Sequence, residues 1–260
     1  MAGIIQRDRY LQKLIDRREN GQIKVITGIR RCGKSFLLFN LYYDWLISQG
    51  VSPEQITTIA LDDDRYLSCR DPSVLSETIR GQIRNREMYY VFLDEVPSAI
   101  RYEELRIRLY NVLNGLIRLR NVDIYVTGSN SRPLTKDVMT AFRGRGDEER
   151  VYPLSFGENH AFLRGEKQEN YEEYALYGGM PLNVFKKTDA EKTVYLKNLF
   201  QEIYFRNIVE RYHVELPDVL EDLTDDLCSS VGSLTNARRI ARTLKSVRGE
   251  PVSSATIPYI

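Results

Sequence analysis

Gly28-Ile29-Arg30-Arg31-Cys32-Gly33-Lys34-Ser35 is the stretch on which the reading of this chain turns. It fits the pattern G-x-x-x-x-G-K-[ST] without a mismatch. Ile23, Val25 and Ile26 before it read as a short buried strand, and Phe36-Leu37-Leu38-Phe39-Asn40-Leu41 after it as the first turns of a helix. Strand, glycine loop and helix in that order form the context such a match requires. Gly28 and Gly33 carry no Cβ, so the backbone can turn sharply and aim its N–H groups at phosphate oxygens. The following helix points the positive end of its dipole at the same place. The expected nucleotide-binding stretch therefore runs from Gly28, Ile29, Arg30, Arg31 and Cys32 through Gly33, Lys34 and Ser35 to Phe36. Lys34 is expected to reach the β- and γ-phosphates of a nucleotide, and the Ser35 hydroxyl to ligate Mg2+. A glycine turn with a stray lysine is the plain alternative, and the flanking strand and helix weigh against it.

Length and charge bound the rest. A chain of 260 residues with 42% hydrophobic side chains has enough apolar material for one large domain, or a main domain with smaller attachments. Its 37 basic and 36 acidic residues leave a net charge of +1, so nucleic-acid binding through a whole-protein basic field is excluded and any such binding must be local. Cys32, Cys69 and Cys228 are odd in number and far apart, which fits neither a zinc pattern nor a disulfide framework and points to a reducing compartment. No apolar run reaches membrane-spanning length, and the first seven residues carry no secretion signal. A soluble cytoplasmic protein without a membrane partner is expected.

Outward from the loop, apolar positions between Ile4 and Ile15 have helical spacing over residues 4–19, and Asn20-Gly21 ends that segment. Residues 56–61 read as a second strand, and Asp71-Pro72-Ser73 opens another helix. Tyr89-Tyr90-Val91-Phe92-Leu93-Asp94-Glu95 is an apolar run ending in two carboxylates. A strand apolar on both faces is what a parallel sheet covered by helices needs, and its active residues sit just past the strand ends. Asp94 is expected to hold Mg2+ through water, and Glu95 to orient and polarise the attacking water. The alternative is an Asp-Glu pair that caps the next helix. A helix is expected over residues 102–120, then a strand over 122–127 that ends in Gly128-Ser129-Asn130-Ser131. Asn130, with Ser129 second, is a candidate to hydrogen-bond the γ-phosphate or the water; a plain Gly-Ser-Asn turn fits the same residues. Arg143-Gly144-Arg145-Gly146 reads either as an arginine supplied to a nucleotide or as a solvated basic loop. Val151-Tyr152-Pro153-Leu154 is expected to be the final short strand, and Ser155 and Glu158 have the spacing of a capping box.

Five features occur together: the glycine loop with its double arginine, the apolar run into Asp94-Glu95, and Thr127-Gly128-Ser129-Asn130. Then come Gly144-Arg145 followed by Tyr152-Pro153-Leu154-Ser155-Phe156, and Tyr177-Gly178-Gly179-Met180-Pro181. Together they resemble a family of bacterial and archaeal P-loop ATPases of the AAA+ kind, whose members join an ATPase core to a winged-helix segment and often to a nuclease-like C-terminal region. The resemblance covers roughly residues 4–260. It implies adenine rather than guanine as the base. It also implies that Asn130 is the sensor at the strand tip and that Arg145 is an arginine finger, in cis or across a homo-oligomer boundary. The nuclease-like region is expected to be missing.

The second half is less specific. Residues 155–189 read as short helices and loops, and a long helix is expected over residues 190–211. Residues 214–226 hold six acids and no base, and residues 228–249 hold five bases and no acid. Leu234, Ile240, Ala241, Leu244 and Val247 give the basic stretch an apolar helical face, and residues 253–257 look like the start of a further helix. This resembles half of a winged-helix module. DNA contact through the arginines, protein contact, and a basic face answering the acidic one all remain open. The abrupt apolar end suggests a truncated product. The expected fold is α/β: a three-layer P-loop core with a parallel sheet over 1–154, a helical lid over 155–213, and a partial winged helix over 214–260. The expected activity is ATP binding with Mg2+-dependent hydrolysis coupled to conformational change; the alternative is a nucleotide-dependent switch or DNA-binding regulator with little turnover.

Overall fold

The computed structural model describes residues 3–99, 102–129, 146–205, 208–209, 217–234 and 236–248. The chain forms two compact units, Met1–Lys186 and Lys187–Ile260.

The first unit opens with helix α1 (Asp8–Asp16) and strand β1 (Ile23–Gly28). Helix α2 follows as three consecutive segments: α-helical Lys34–Phe36, π-helical Leu37–Tyr42 and α-helical Tyr43–Ser48. Then come β2 (Ile56–Ala60), α3 (Pro72–Gln82), β3 (Tyr89–Asp94), α4 (Glu103–Ile117), β4 (Val122–Ser129) and β5 (Gly146–Arg150). The five strands make one parallel sheet in the order β2-β3-β4-β1-β5. The glycine-loop strand β1 is thus an interior strand between β4 and β5, and β4 stands between it and the carboxylate strand β3.

Side chains alternate across this sheet, as the pleat demands. Ile23 and Val25, Val91 and Leu93, and Val122, Ile124 and Val126 pack with Leu75 and Ile79 of α3 and Leu109, Leu113 and Leu116 of α4. Ile26, Tyr90, Phe92 and Tyr125 face the other way, onto Tyr10 and Leu14 of α1 and Leu37, Leu38, Leu41 and Leu46 of α2. Each such side chain contributes about 1.5–3 kcal/mol by leaving water. The result is the expected three-layer α/β core. On the α1/α2 face, a polar cluster sits at the far end of the strands from the glycine loop. Lys24 pairs with Asp123, both nearly inaccessible to solvent. Asp123 also accepts from the Tyr125 hydroxyl at 2.8 Å and the Glu19 N–H at 2.9 Å, and Tyr125 and Tyr42 share a hydroxyl contact at 2.6 Å. Burial pushes both phenols up and pulls the Lys24 ammonium down, the latter partly offset by Asp123.

Two sequence expectations are corrected here. The last strand is Gly146–Arg150, not Val151–Leu154. Asp147, Glu148, Glu149 and Arg150 are all charged, but an edge strand pairs through its backbone and tolerates charge. The acids also have partners: Lys13 meets Glu149 at 2.6 Å, Arg17 meets Asp147 at 3.1 Å, and the Thr27 hydroxyl donates to Glu148 at 2.7 Å. Only the Val151 N–H extends the ladder, to the Thr27 carbonyl at 2.7 Å. Helix α1 also begins at Asp8 rather than near Ile4: residues 3–7 belong to no helix or strand, and Arg7 is the N-cap.

After β5 come α5 (Phe156–Leu163) and α6 (Lys167–Tyr177). The Ser155–Glu158 capping box is present at the start of α5. Gly178 adopts φ 68°, and the Gly179 carbonyl accepts from the Leu154 N–H at 2.7 Å. A Cβ on Gly179 would lie 2.0 Å from the Leu154 carbonyl oxygen, which explains the double glycine.

The second unit contains α7 (Asp189–Asn198), continued by π-helical Leu199–Phe205, then α8 (Pro217–Ser229) and α9 (Ala237–Arg248). Val219, Leu220 and Leu223 of α8 meet Ile240 of α9 in a small core. Leu234, read from the sequence as part of the apolar face, instead lies in the preceding turn and is 94% exposed. The helix start expected over residues 253–257 lies outside the described residues. Among the described residues, no helix is long and apolar enough to cross a membrane.

Candidate functional site

All six β1 residues are buried, so the strand delivers its last residue, Gly28, to a fixed place at the C-terminal end of the sheet's strands. Gly28 has φ 149°, and a Cβ there would sit 2.1 Å from the Val151 carbonyl oxygen. Gly33 turns the chain into α2 with φ 100°. Arg31 between them also adopts a positive φ, 65°. Non-glycine residues in that region concentrate at functional loops. The Lys34 ammonium is buried and donates to the Gly28 and Ile29 carbonyls at 3.0 and 3.1 Å. An ammonium has three hydrogens, so one donor remains to be directed elsewhere. Cys32 turns its thiol into the core against the Val151 carbonyl at 3.4 Å, and burial pushes that thiol up.

Two strands away, β3 ends at Asp94. Tyr90, Phe92 and Asp94 share the strand face that looks toward α2, so the carboxylate emerges on the loop's side of the sheet. Glu95 follows with φ 47°, a left-handed backbone that an ordinary strand-to-helix turn does not need. Thr127 on the intervening β4 is fully buried and donates its hydroxyl hydrogen to the Asp94 carboxylate. The Thr127 hydroxyl oxygen in turn accepts the Glu95 N–H at 3.1 Å.

A cavity of about 500 Å³ joins these groups. Arg30, Arg31, Gly33, Lys34, Ser35 and Phe36 line it from the loop side, and Asp62, Asp94 and Glu95 from the strand ends. Its remaining wall is mainly apolar, with Ile4, Ile5, Leu154, Pro181, Leu182 and Phe185. The cavity therefore has a cationic side, an anionic side and an apolar end. Gly28, Ile29 and Cys32 are not in its lining; they shape the loop from behind. Asn130 and Arg145, like Arg143, lie outside the described residues, and of Ser129 only the backbone is described, as the end of β4.

Three polar residues of the site region have no role in the sequence reading: Asp62, which lines the cavity just past the end of β2, Thr127 and Arg7. Thr127 had a usable signal, a polar side chain in phase with Asp123 and Tyr125 at the end of an apolar strand. Arg7 had none. It is 3% exposed and reaches partners 25, 145 and 151 residues away.

The residues fit a magnesium nucleotide. Mg2+ favours oxygen ligands from one or two protein groups completed by phosphates and water, rather than an all-protein cage. Ser35 on the loop side of the cavity and Asp94 at the strand end supply such oxygens. Among the described residues, no group of three or more His, Cys, Asp or Glu side chains forms a cage.

A glycine loop between β1 and α2 of a parallel sheet, facing an acidic strand end, defines a P-loop protein of the nucleotide-binding, ATPase type. A family model described as an AAA domain matches residues 20–160, and the chain belongs to this family, the AAA+ group its motifs resemble. A second model, a domain of unknown function, matches residues 168–257. An uncharacterized protein of Haemophilus influenzae is 32% identical over 98% of this chain and 62% of its own length. Another, from Methanocaldococcus jannaschii, is 26% identical over 94% of this chain and 54% of its own. The chain thus spans little more than half the length of these relatives. Among solved structures, DnaA of Aquifex aeolicus bound to AMPPCP aligns at 16% identity and TM-score 0.45, over 100% of this chain and 87% of that one. The ORC1 protein of Aeropyrum pernix in complex with DNA aligns at 15% and 0.45, over 99% and 82%. Likeness at that level says nothing about activity.

Proposed function

We propose that this chain binds ATP with Mg2+ and hydrolyses it, coupling turnover to a conformational change. The observation that carries the proposal is the single cavity shared by Lys34, Ser35, Asp94, Glu95 and an apolar end. Loop amides and Lys34 hold the phosphates, and the apolar end takes the base. Ser35 and Asp94 hold the metal, which when bound screens charge on the phosphates. Glu95 orients water and accepts its proton. Asn130 and Arg145 are assigned as sensor and arginine finger from the family resemblance alone, with a homo-oligomer as the setting for a finger in trans. Segment 155–213 as lid, 214–260 as partial winged helix, and a cytoplasmic setting belong to the same proposal.

The test is calorimetry with ATP and Mg2+ together with a turnover assay. Glu95→Gln should keep ATP bound and abolish hydrolysis, whereas Lys34→Ala should abolish binding. Wild-type protein that ignores ATP sinks the proposal. Wild-type and Glu95→Gln proteins that bind ATP with equal negligible turnover would favour a switch instead.

DNA binding through α9 is a second reading, and one feature favours it. Arg238, Arg239 and Arg242 are exposed on the helix whose Ile240 is buried. Affinity for duplex DNA should fall with added salt and with Arg238→Ala or Arg242→Ala. No binding at low salt removes this reading.

A further inference from the structure

Arg7 stands outside the glycine motif, yet its side chain is almost wholly buried beside it. Its Nη1 donates to the Cys32 carbonyl at 3.0 Å, inside the loop. Its Nη2 donates to the Tyr152 carbonyl at 2.7 Å, where the chain leaves β5. Its Nε donates to Glu158 Oε1 at 2.8 Å, on the first turn of α5. The other oxygen of Glu158 accepts from the Ser155 N–H at 2.8 Å, completing the cap of that helix. One rigid fork thus joins the phosphate loop, the strand exit and a helix start.

The contact with Cys32 bears on ligand binding because a trans peptide is planar. Its C=O and the following N–H point in opposite directions, so a carbonyl held from one side sets the amide on the other. The amide concerned is that of Gly33, which lines the cavity. Glycine cannot set this direction itself, since it is the residue with the widest choice of backbone conformations. Arg7 also ends the non-helical segment whose Ile4 and Ile5 form part of the apolar end.

We propose that Arg7 is a positioning residue for the nucleotide: by joining the Cys32 carbonyl to Glu158, it orients the Gly33 amide and transmits loop occupancy to the start of α5. This rests on the ATP reading above. A lysine would keep the charge but lose the fork, since an ammonium on a flexible stem cannot meet three acceptors in fixed directions.

The test uses the whole chain with Arg7→Lys and Glu158→Gln, since Arg7→Ala also empties a buried site. ATP affinity is measured with Mg2+ by calorimetry, alongside hydrogen exchange of residues 155–163 with and without ATP. Arg7→Lys should weaken ATP binding about tenfold, as expected for losing a charged hydrogen bond at the site. ATP should slow exchange at the start of α5 in the wild type and not in Arg7→Lys. Glu158→Gln can accept from Arg7 or from Ser155 but not from both, so it should bind ATP nearly as well while its α5 response weakens. Arg7→Lys with wild-type affinity and wild-type exchange response overturns the inference. So does an affinity loss that only tracks a smaller folded fraction. Wild-type protein that fails to bind ATP removes the nucleotide reading and this inference together; wild-type binding matched by Arg7→Lys removes this inference alone.

Discussion

Thr127 gives its hydroxyl hydrogen to Asp94 across the β3–β4 pair, so the carboxylate proposed to hold metal is itself held by a buried side chain. The same hydroxyl oxygen accepts the Glu95 N–H, at the residue with left-handed backbone. One small group therefore fixes the rotamer of the first acid and the backbone of the second. Thr127→Val keeps the shape and removes both bonds. It should lower ATP turnover about tenfold or more and cost about 1–3 kcal/mol of stability, the usual penalty for stranding buried polar groups. Thr127→Ser keeps the hydroxyl and should restore most of the turnover. Equal turnover in Thr127→Val and wild type, measured at saturating Mg2+ and ATP, would rule this role out.

Gly28→Ala tests whether the loop tolerates any side chain at its entry. The new Cβ would meet the Val151 carbonyl oxygen at 2.1 Å in a backbone region that disfavours alanine. Neither the strand end nor the β1–β5 pairing can yield cheaply. A loss of roughly 3 kcal/mol is expected from strain and overpacking. Urea unfolding midpoints compared with wild type provide the check.

The Lys24–Asp123 pair should show the behaviour of a buried ion pair. Removing either partner leaves an uncompensated charge in the core, and Lys24→Met should cost about 3–5 kcal/mol. The double variant Lys24→Met/Asp123→Asn should lose less than the sum of the singles by at least about 1 kcal/mol. A double-mutant cycle from chemical denaturation measures this, and strict additivity would contradict it.

Acid sensitivity has a local source near β2. Hydrogen bonds from the Arg65 side chain and N–H hold Asp63 down to about 2, against an ordinary 3.8. The N–H of Ser73 likewise holds the Asp71 cap of α3 below the usual range. The unfolded chain takes up these protons more readily than the folded one. The stability they contribute is whole above pH 4 and is lost as the pH falls toward 2. Asp63→Asn should therefore flatten the decline of the melting temperature between pH 4 and pH 2, lowering the melting temperature most above pH 4 and least near pH 2.

The sequence alone determined the parts of this protein whose causes are local. The glycine loop with its flanking strand and helix, the acidic end of β3 and the α3 start are written in spacing and in apolar periodicity. Ser155–Glu158 is likewise a local pattern. Patterns of this kind survive into the fold because they rest on backbone geometry and on which face of an element is apolar. Tertiary structure decided what depends on pairing at long range. Gly146–Arg150 is a strand because β1 offers it an edge and Lys13 and Arg17 answer its charges. The apolar end of the cavity draws on residues 4–5 and 181–185, remote in sequence from the loop they face. Arg7 looks like any basic residue before a helix; only folding brings Cys32, Tyr152 and Glu158 around it. A hydrogen bond needs atoms within about 3 Å, and no spacing along the chain encodes that when the partners lie more than a hundred residues apart.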